Sequence, residues 1–485
     1  MATLRTVSFS CRSVALVALL LLGANCRRET VTTPATASAD AGTTRPDAES
    51  PAHAATSKSS DHAKAKPPEP LQRCFPEDSA LSPPRSIAAL LDRAADRLEQ
   101  ASEQPRVCTG KDKEPDPPRL LRDALACTEE ALRKDEQSVE AHHNRGLALL
   151  GLDRKDEAQR AFTHALAIDP DDPETLAAAA ELYIHHLSPS TENTLIGLAY
   201  VRHGKAVLRR ANAKPDRRTT IAVAASPTKR GQASGPKASK ATRSERPDRT
   251  PRPSSERQRS LLGRLLLLEG QALSDLGRAR LALGVLDEAI TLTDSDQARY
   301  ERGLVLFDLC RLKEAQTTFS DLTRRMPDDA WSHHQLGLVL EMLGDGNAEK
   351  ELATARKLAP ADFPEPLPVS KSQFQKMVAE EVTGLSPTDR DDLRKVRLEL
   401  TDLPAIEDLT VDEPTLSPTI VGLYRGLPAG VPDSEPRSIV LYRKNLLRIV
   451  STQEELRDQV RTTLLHELGH LRGEDDDELR DRGLE

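Results

Sequence analysis

The sequence predicts a mostly α-helical chain, an array of helical repeats followed by a small α+β unit. Three observations predict it. Glycine-anchored segments recur with small, apolar and proline residues at the same offsets, the pattern of stacked helix pairs. Short runs rich in Ile, Val, Leu and Tyr appear only late in the chain, at Ile420 to Tyr424 and Ser438 to Tyr442. They precede a long helical pattern that carries His466-Glu467-Leu468-Gly469-His470.

The N-terminus sets an expected compartment. Arg5 and Arg12 precede an apolar run from Val14 to Ala24, too short to span a bilayer and of the length of a signal h-region. Cys26 follows Gly23-Ala24-Asn25, an imperfect version of the site where a lipoprotein signal is cut. Residues 1–25 therefore read as a signal peptide and Cys26 as a lipid anchor, with simple secretion and a persistent anchor as alternatives. Residues 26–70 are Thr, Ala, Ser, Pro, Asp and Lys, and cannot bury enough apolar surface to offset their ordering entropy. They read as a disordered tether with a reach of roughly 35–40 Å. The expected location is the cell envelope, membrane-anchored and facing the periplasm or exterior. Cys74, Cys108 and Cys127 can supply one disulfide, with all three pairings open, and Cys310 reads as a small buried hydrophobe in a repeat helix.

Residues 84–212 and 258–360 hold the repeats. One runs from Val139 to Asp172 with Gly146, Leu149, Ala158, Phe162, Ala165 and Pro170 at fixed offsets. Gly303, Leu306, Ala315, Phe319 and Pro327 repeat it, and so do Gly337, Leu340, Ala348, Leu352 and Pro360. A fourth unit carries Gly270, Leu273, Ala282 and Leu286. These offsets resemble tetratricopeptide repeats. Gly146 and Ala158 are small enough for the two helices of a unit to approach, and Phe162 and Ala165 are expected to face the next unit. Helical patterns at Ile87 to Leu98 with Leu120 to Lys134, and from Asp172 with Leu195 to Arg210, bring the total to about six. Such arrays form grooves, so a protein or peptide partner is expected.

Residues 213–257 form a basic low-complexity insert; from Lys214 to Arg257 it has twelve basic and four acidic residues. It reads as a solvated loop or as a contact with an anionic surface. Nucleic acid is disfavoured as a partner: the chain is net −8 and the insert lacks aromatic stacking residues. The pairs His142-His143, His185-His186 and His333-His334 point about 100° apart on a helix and do not suggest a second metal site.

The chemistry lies in residues 371–485. Leu456, Val460 and Leu464 recur four apart on a helix opening at Thr452. His466 and His470 lie one turn apart on that helix and can grip one metal, and Glu467 can take a proton from its water. Gly473 can end the helix and turn the chain, so that a carboxylate of the acidic run returns to the metal. Asp476 is the choice, with Asp475, Asp477 and Glu478 as competitors. HELGHLRGEDD, with VDEPTLSPTIVGLYRG and PRSIVLYRKNLLRI upstream, resembles the small zincin-like family of bacterial minimal metallopeptidases. The resemblance implies a Zn2+ cofactor held by His466, His470 and Asp476, Glu467 as the catalytic base, and a small sheet beside the metal helix whose edge strand pairs with an extended peptide. Arg472 stands where relatives tend to carry an apolar residue. Tyr424, Arg425, Tyr442 and Arg443 are candidate oxyanion donors. The sequence thus reads as a hydrolase, a zinc metalloendopeptidase whose repeats bind substrate or partner. A second reading is a scaffold lipoprotein whose zincin-like domain is structural or inactive, and a third is a peptidase kept latent by its own tail.

Overall fold

The computed structural model describes residues 74, 85–103, 117–212, 255–411, 414–432 and 436–484. The signal segment, Cys26, the tether, Cys108 and nearly all of the basic insert lie outside the described residues.

Among the described residues, six consecutive helix pairs form the array: α1 (Ile87–Glu103) with α2 (Pro117–Lys134), α3 (Val139–Gly151) with α4 (Lys155–Ile168), α5 (Pro173–Glu181) with α6 (Thr191–Asn212), α7 (Ser255–Asp275) with α8 (Ala279–Thr293), α9 (Asp296–Asp308) with α10 (Leu312–Arg325), and α11 (Ala330–Met342) with α12 (Ala348–Leu358). In four of these pairs a repeat glycine lets the two helices close. A Cβ on Gly146 would sit 2.4 Å from the Phe162 ring, one on Gly303 2.6 Å from Phe319, and one on Gly270 2.5 Å from Leu286. Phe162 thus fills the gap over the glycine of its own unit while also reaching Ala178, Ala179 and Leu182 of the next. Seven residues past Gly146, Gly270, Gly303 and Gly337, the turn residues Asp153, Gly277, Cys310 and Gly344 all take positive φ. Cys310 therefore sits in a turn, not in a helix as expected, and its thiol packs beside Leu416.

Stacking continues across the insert. Lys205 of α6 and Glu269 of α7 form a buried ion pair, and Gly204 lies against Leu265. A disulfide joins Cys74 to Cys127, resolving the pairing left open by the sequence. His185 and His186 sit in a π-helical turn, Leu182–His186, that closes α5. No described helix is long and apolar enough to cross a membrane.

The C-terminal unit opens with α13 (Lys371–Gly384) and α14 (Pro387–Leu393). There follow β1 (Arg397–Thr401), the short α15 (Ile406–Leu409), β2 (Gly422–Arg425), β3 (Ser438–Tyr442) and α16 (Arg443–Arg448), and the chain ends on α17 (Gln453–Arg472) and α18 (Asp476–Asp481). The three strands lie in the order β1-β3-β2, with β3 parallel to β1 and antiparallel to β2, so β2 borders the sheet. Every residue of β3 is buried, as a central strand covered on both faces requires. One face packs Ile439, Leu441 and Tyr424 against Leu456, Val460, Leu464 and Leu468 of α17 and Phe374 of α13. The other packs Leu423, Val440 and Tyr442 with Leu409 and Ile420, and it meets Cys310 and Met342 of the array.

Candidate metal centre

Thr452 caps α17 as expected, in a box with Glu455: its hydroxyl accepts from Glu455 N–H at 3.1 Å and the Glu455 carboxylate accepts from Thr452 N–H at 3.3 Å. The stripe from Leu456 to Leu468 then fixes the rotation of the helix against the sheet. That rotation buries His466, Glu467 and His470. At the far end Gly473 takes φ 94°, and its amide and that of Glu474 return to the last carbonyls of α17. Asp475 at once caps α18, its carboxylate accepting from Glu478 N–H at 3.0 Å. The reversal needs Gly469 too: a Cβ there would lie 2.3 Å from Leu479 of the returning helix. Asp476, at the start of α18, thereby faces the histidines.

The ligand atoms of His466, His470 and Asp476 lie within 4.8 Å of one another, and among the described residues no other such group could hold a metal ion. Asp476 Oδ1 is 3.5 Å from His466 Nε2 and 3.3 Å from His470 Nε2. The two rings meet edge-on with centroids 4.6 Å apart. Each ring is oriented from behind. His466 Nδ1 is 2.6 Å from Leu484 O, and His470 Nδ1 is 3.0 Å from Glu474 O. A carbonyl only accepts, so each Nδ1 carries the proton and each Nε2 presents a lone pair. Both Nε2 atoms are buried and make no hydrogen bond. Two imidazole nitrogens and a carboxylate oxygen, converging with no hydrogen between them, fit zinc.

The competing carboxylates are used elsewhere. Asp475 and Glu478 form the α18 capping box, and Asp477 pairs with Arg480. Arg472 bonds to Asp389 at 2.5 Å and Asp392 at 3.0 Å, which ties the end of α17 to α14 and explains a charge at that position.

Glu467 is fully buried with its carboxylate against β2. Gly422 makes that possible, since a Cβ there would lie 2.6 Å from Glu467 Oε1 and 2.5 Å from Thr463 Cγ2. Gly422, Gly469 and the carbonyls of Leu484 and Glu474 are parts of the site that motif reading missed. The glycines stood in the sequence without a signal of what they face, and a carbonyl has no sequence signal at all. None of the four candidate donors is bonded toward the cluster. Tyr424 donates to Leu427 O, Arg425 binds Glu399 and Asp408, Arg443 binds Asp402, and Tyr442 lies on the opposite sheet face.

Residues 393–484 match the family described as zincin-like metallopeptidase, and residues 139–172 match the tetratricopeptide repeat. No curated protein matches the chain. Among solved structures, a tetratricopeptide repeat protein from Thermus thermophilus is 17% identical over 53% of this chain and 100% of its own, at a TM-score of 0.32. One from Parabacteroides merdae is 12% identical over 62% of this chain and 86% of its own, at 0.36. The pilF protein of Pseudomonas aeruginosa is 10% identical over 61% of this chain and 97% of its own, at 0.38. The C-terminal unit is zincin-like, and the region before it is a tetratricopeptide-repeat array.

Proposed function

We propose that the chain is a zinc-dependent endopeptidase whose C-terminal unit hydrolyses peptide bonds and whose repeats hold a protein substrate or partner. One observation carries the reading: two imidazole Nε2 atoms, each turned inward by a carbonyl behind its ring, converge with the Asp476 carboxylate. Zinc held there supplies a Lewis acid that lowers the pKa of a coordinated water to about 7. Glu467 follows the first ligand on the helix and acts as general base, taking the proton from the attacking water and handing it to the leaving amine. Its buried position beside β2 keeps the carboxylate aimed and poorly solvated. β2 borders the sheet next to Glu467 and offers backbone groups to an extended peptide. Asp476, more than half exposed, marks the solvent side of the cluster.

The proposal extends to location. The signal-like residues 1–25 and Cys26 support a lipid-anchored envelope protein, and the Cys74–Cys127 disulfide agrees with an oxidising compartment. The basic insert is then free to touch an anionic surface.

Burial of all three motif side chains favours a second reading, a scaffold whose zincin-like unit holds metal for stability alone. Metal content and turnover of the full chain separate the two. The peptidase reading expects one zinc per chain, lost in His466→Ala and weakened in Asp476→Ala. It also expects Glu467→Gln to keep the zinc and lose at least about a hundredfold in peptide hydrolysis. Equal turnover by Glu467→Gln and the native chain would sink the mechanism. Zinc without turnover in the native chain would leave the scaffold.

A further inference from the structure

We infer that the last repeat of the array is a positioning part of the peptidase unit, with Glu341 holding the segment that backs Glu467; the inference rests on the proposed role of Glu467. Glu341 lies in the last turn of α11, four residues past the repeat glycine Gly337. The same place in earlier repeats holds Leu150, Ser274 and Phe307. Of these four repeats, the last alone puts a carboxylate there, and it is largely buried. A buried carboxylate is costly without partners, so its partners account for it. Lys444 Nζ lies 2.7 Å from Glu341 Oε1, and Arg448 Nη2 binds Oε2.

The contacts then run inward without a gap. Arg448 uses its other arm on Asn445, Nη1 donating to Oδ1 at 2.8 Å. Asn445 is buried and donates through Nδ2 to Pro418 O at 2.9 Å and Ile420 O at 2.7 Å. Two residues beyond Ile420 is Gly422, the floor on which the Glu467 carboxylate rests. A second tie pins the same segment from the preceding repeat. Thr415 Oγ1 donates to Asp308 O at 2.9 Å, Ser417 Oγ donates to Asp308 Oδ1 at 3.2 Å, and Cys310 packs on Leu416. Cys310 takes a positive φ at the turn, as Asp153 does, where two other repeats use glycine. Two successive repeats therefore hold this segment, one directly through Asp308 and Cys310 and the other from Glu341 through Arg448 and Asn445.

The metal ligands lie on the other side of the sheet, on α17 and α18. Loss of Glu341 should loosen the strand behind Glu467 while leaving zinc in place. The test is amide hydrogen exchange on the full chain, native beside Glu341→Ala and Arg448→Lys. The Arg448→Lys variant keeps the charge facing Glu341 and removes the arm to Asn445, so it probes the link without undocking the unit. Both should speed exchange at residues 420–424 by about tenfold or more, with α17 amides and the one-zinc stoichiometry unchanged. In a peptide assay kcat should fall at constant KM. Unchanged exchange at 420–424 in either variant that folds overturns the inference, and so does an equal rise along α17, which would mean general loosening. Exchange needs no turnover, so absence of hydrolysis in the native chain would count against the peptidase reading and not against the positioning of the strand.

Discussion

Gly422 has no side chain, and Glu467 occupies the room. In Gly422→Ala the new methyl would overlap both Thr463 and the carboxylate, so helix and strand must part. Overpacking of this kind costs about 1–3 kcal/mol. The expected outcome is a lower denaturant midpoint and reduced hydrolysis with zinc retained, read by urea unfolding and metal analysis. At this scale the motif was legible: His466 and His470 come together as their one-turn spacing implied, and Asp476 of the acidic run joins them. Selecting Asp476 from its acidic neighbours rested on the family resemblance. The structure supplies the physical reason, since Asp475 and Glu478 cap one another and Asp477 pairs outward with Arg480. The oxyanion donor was not legible, because which way Tyr442 and Arg425 point depends on which sheet face meets the array.

The element that matters most is the reversal from α17 into α18. It depends on Gly473 at φ 94°, where a Cβ costs about 1–2 kcal/mol. Gly473→Ala should therefore destabilise the unit by that amount and also weaken zinc binding, because Asp476 is carried by the turn. Gly344→Ala has the same sign of φ, lies in the array and meets no neighbour, so it should leave zinc affinity unchanged. Titration of both variants with zinc checks the contrast. β2, β3 and α17 were legible from apolar pattern and the opening at Thr452, while α15, α16 and α18 were not. These last are six residues or fewer, shorter than the windows in which a helical period declares itself, and tertiary contacts hold them.

Across the whole molecule, the array and the zincin-like unit meet at a face that contains a pH-sensitive group. His334 of α11 is half-buried and stacks on Phe363, with ring centroids 4.4 Å apart. Burial first, then Arg448 and Arg356, push its pKa down to about 3, with Glu341 acting the other way. The folded chain thus keeps His334 neutral where the unfolded chain protonates it. Stability should fall as pH drops from about 6.5 towards about 3, with no contribution above that window. On this account acidification from pH 7 to pH 4 costs about 3 kcal/mol, and His334→Phe, which keeps the stack, should lose less over the same range. Unfolding midpoints of the two proteins at both pH values give the comparison. The sequence by itself determined the helix pairs and the metal motif, because both depend on neighbours within about one repeat or one turn, where spacing maps directly onto geometry. Only the tertiary structure decided that Cys74 pairs with Cys127, that Gly422 seats Glu467, and that Glu341 reaches Lys444 and Arg448. Those contacts join residues between 45 and 107 positions apart, and no periodicity in a chain specifies which distant surfaces will meet.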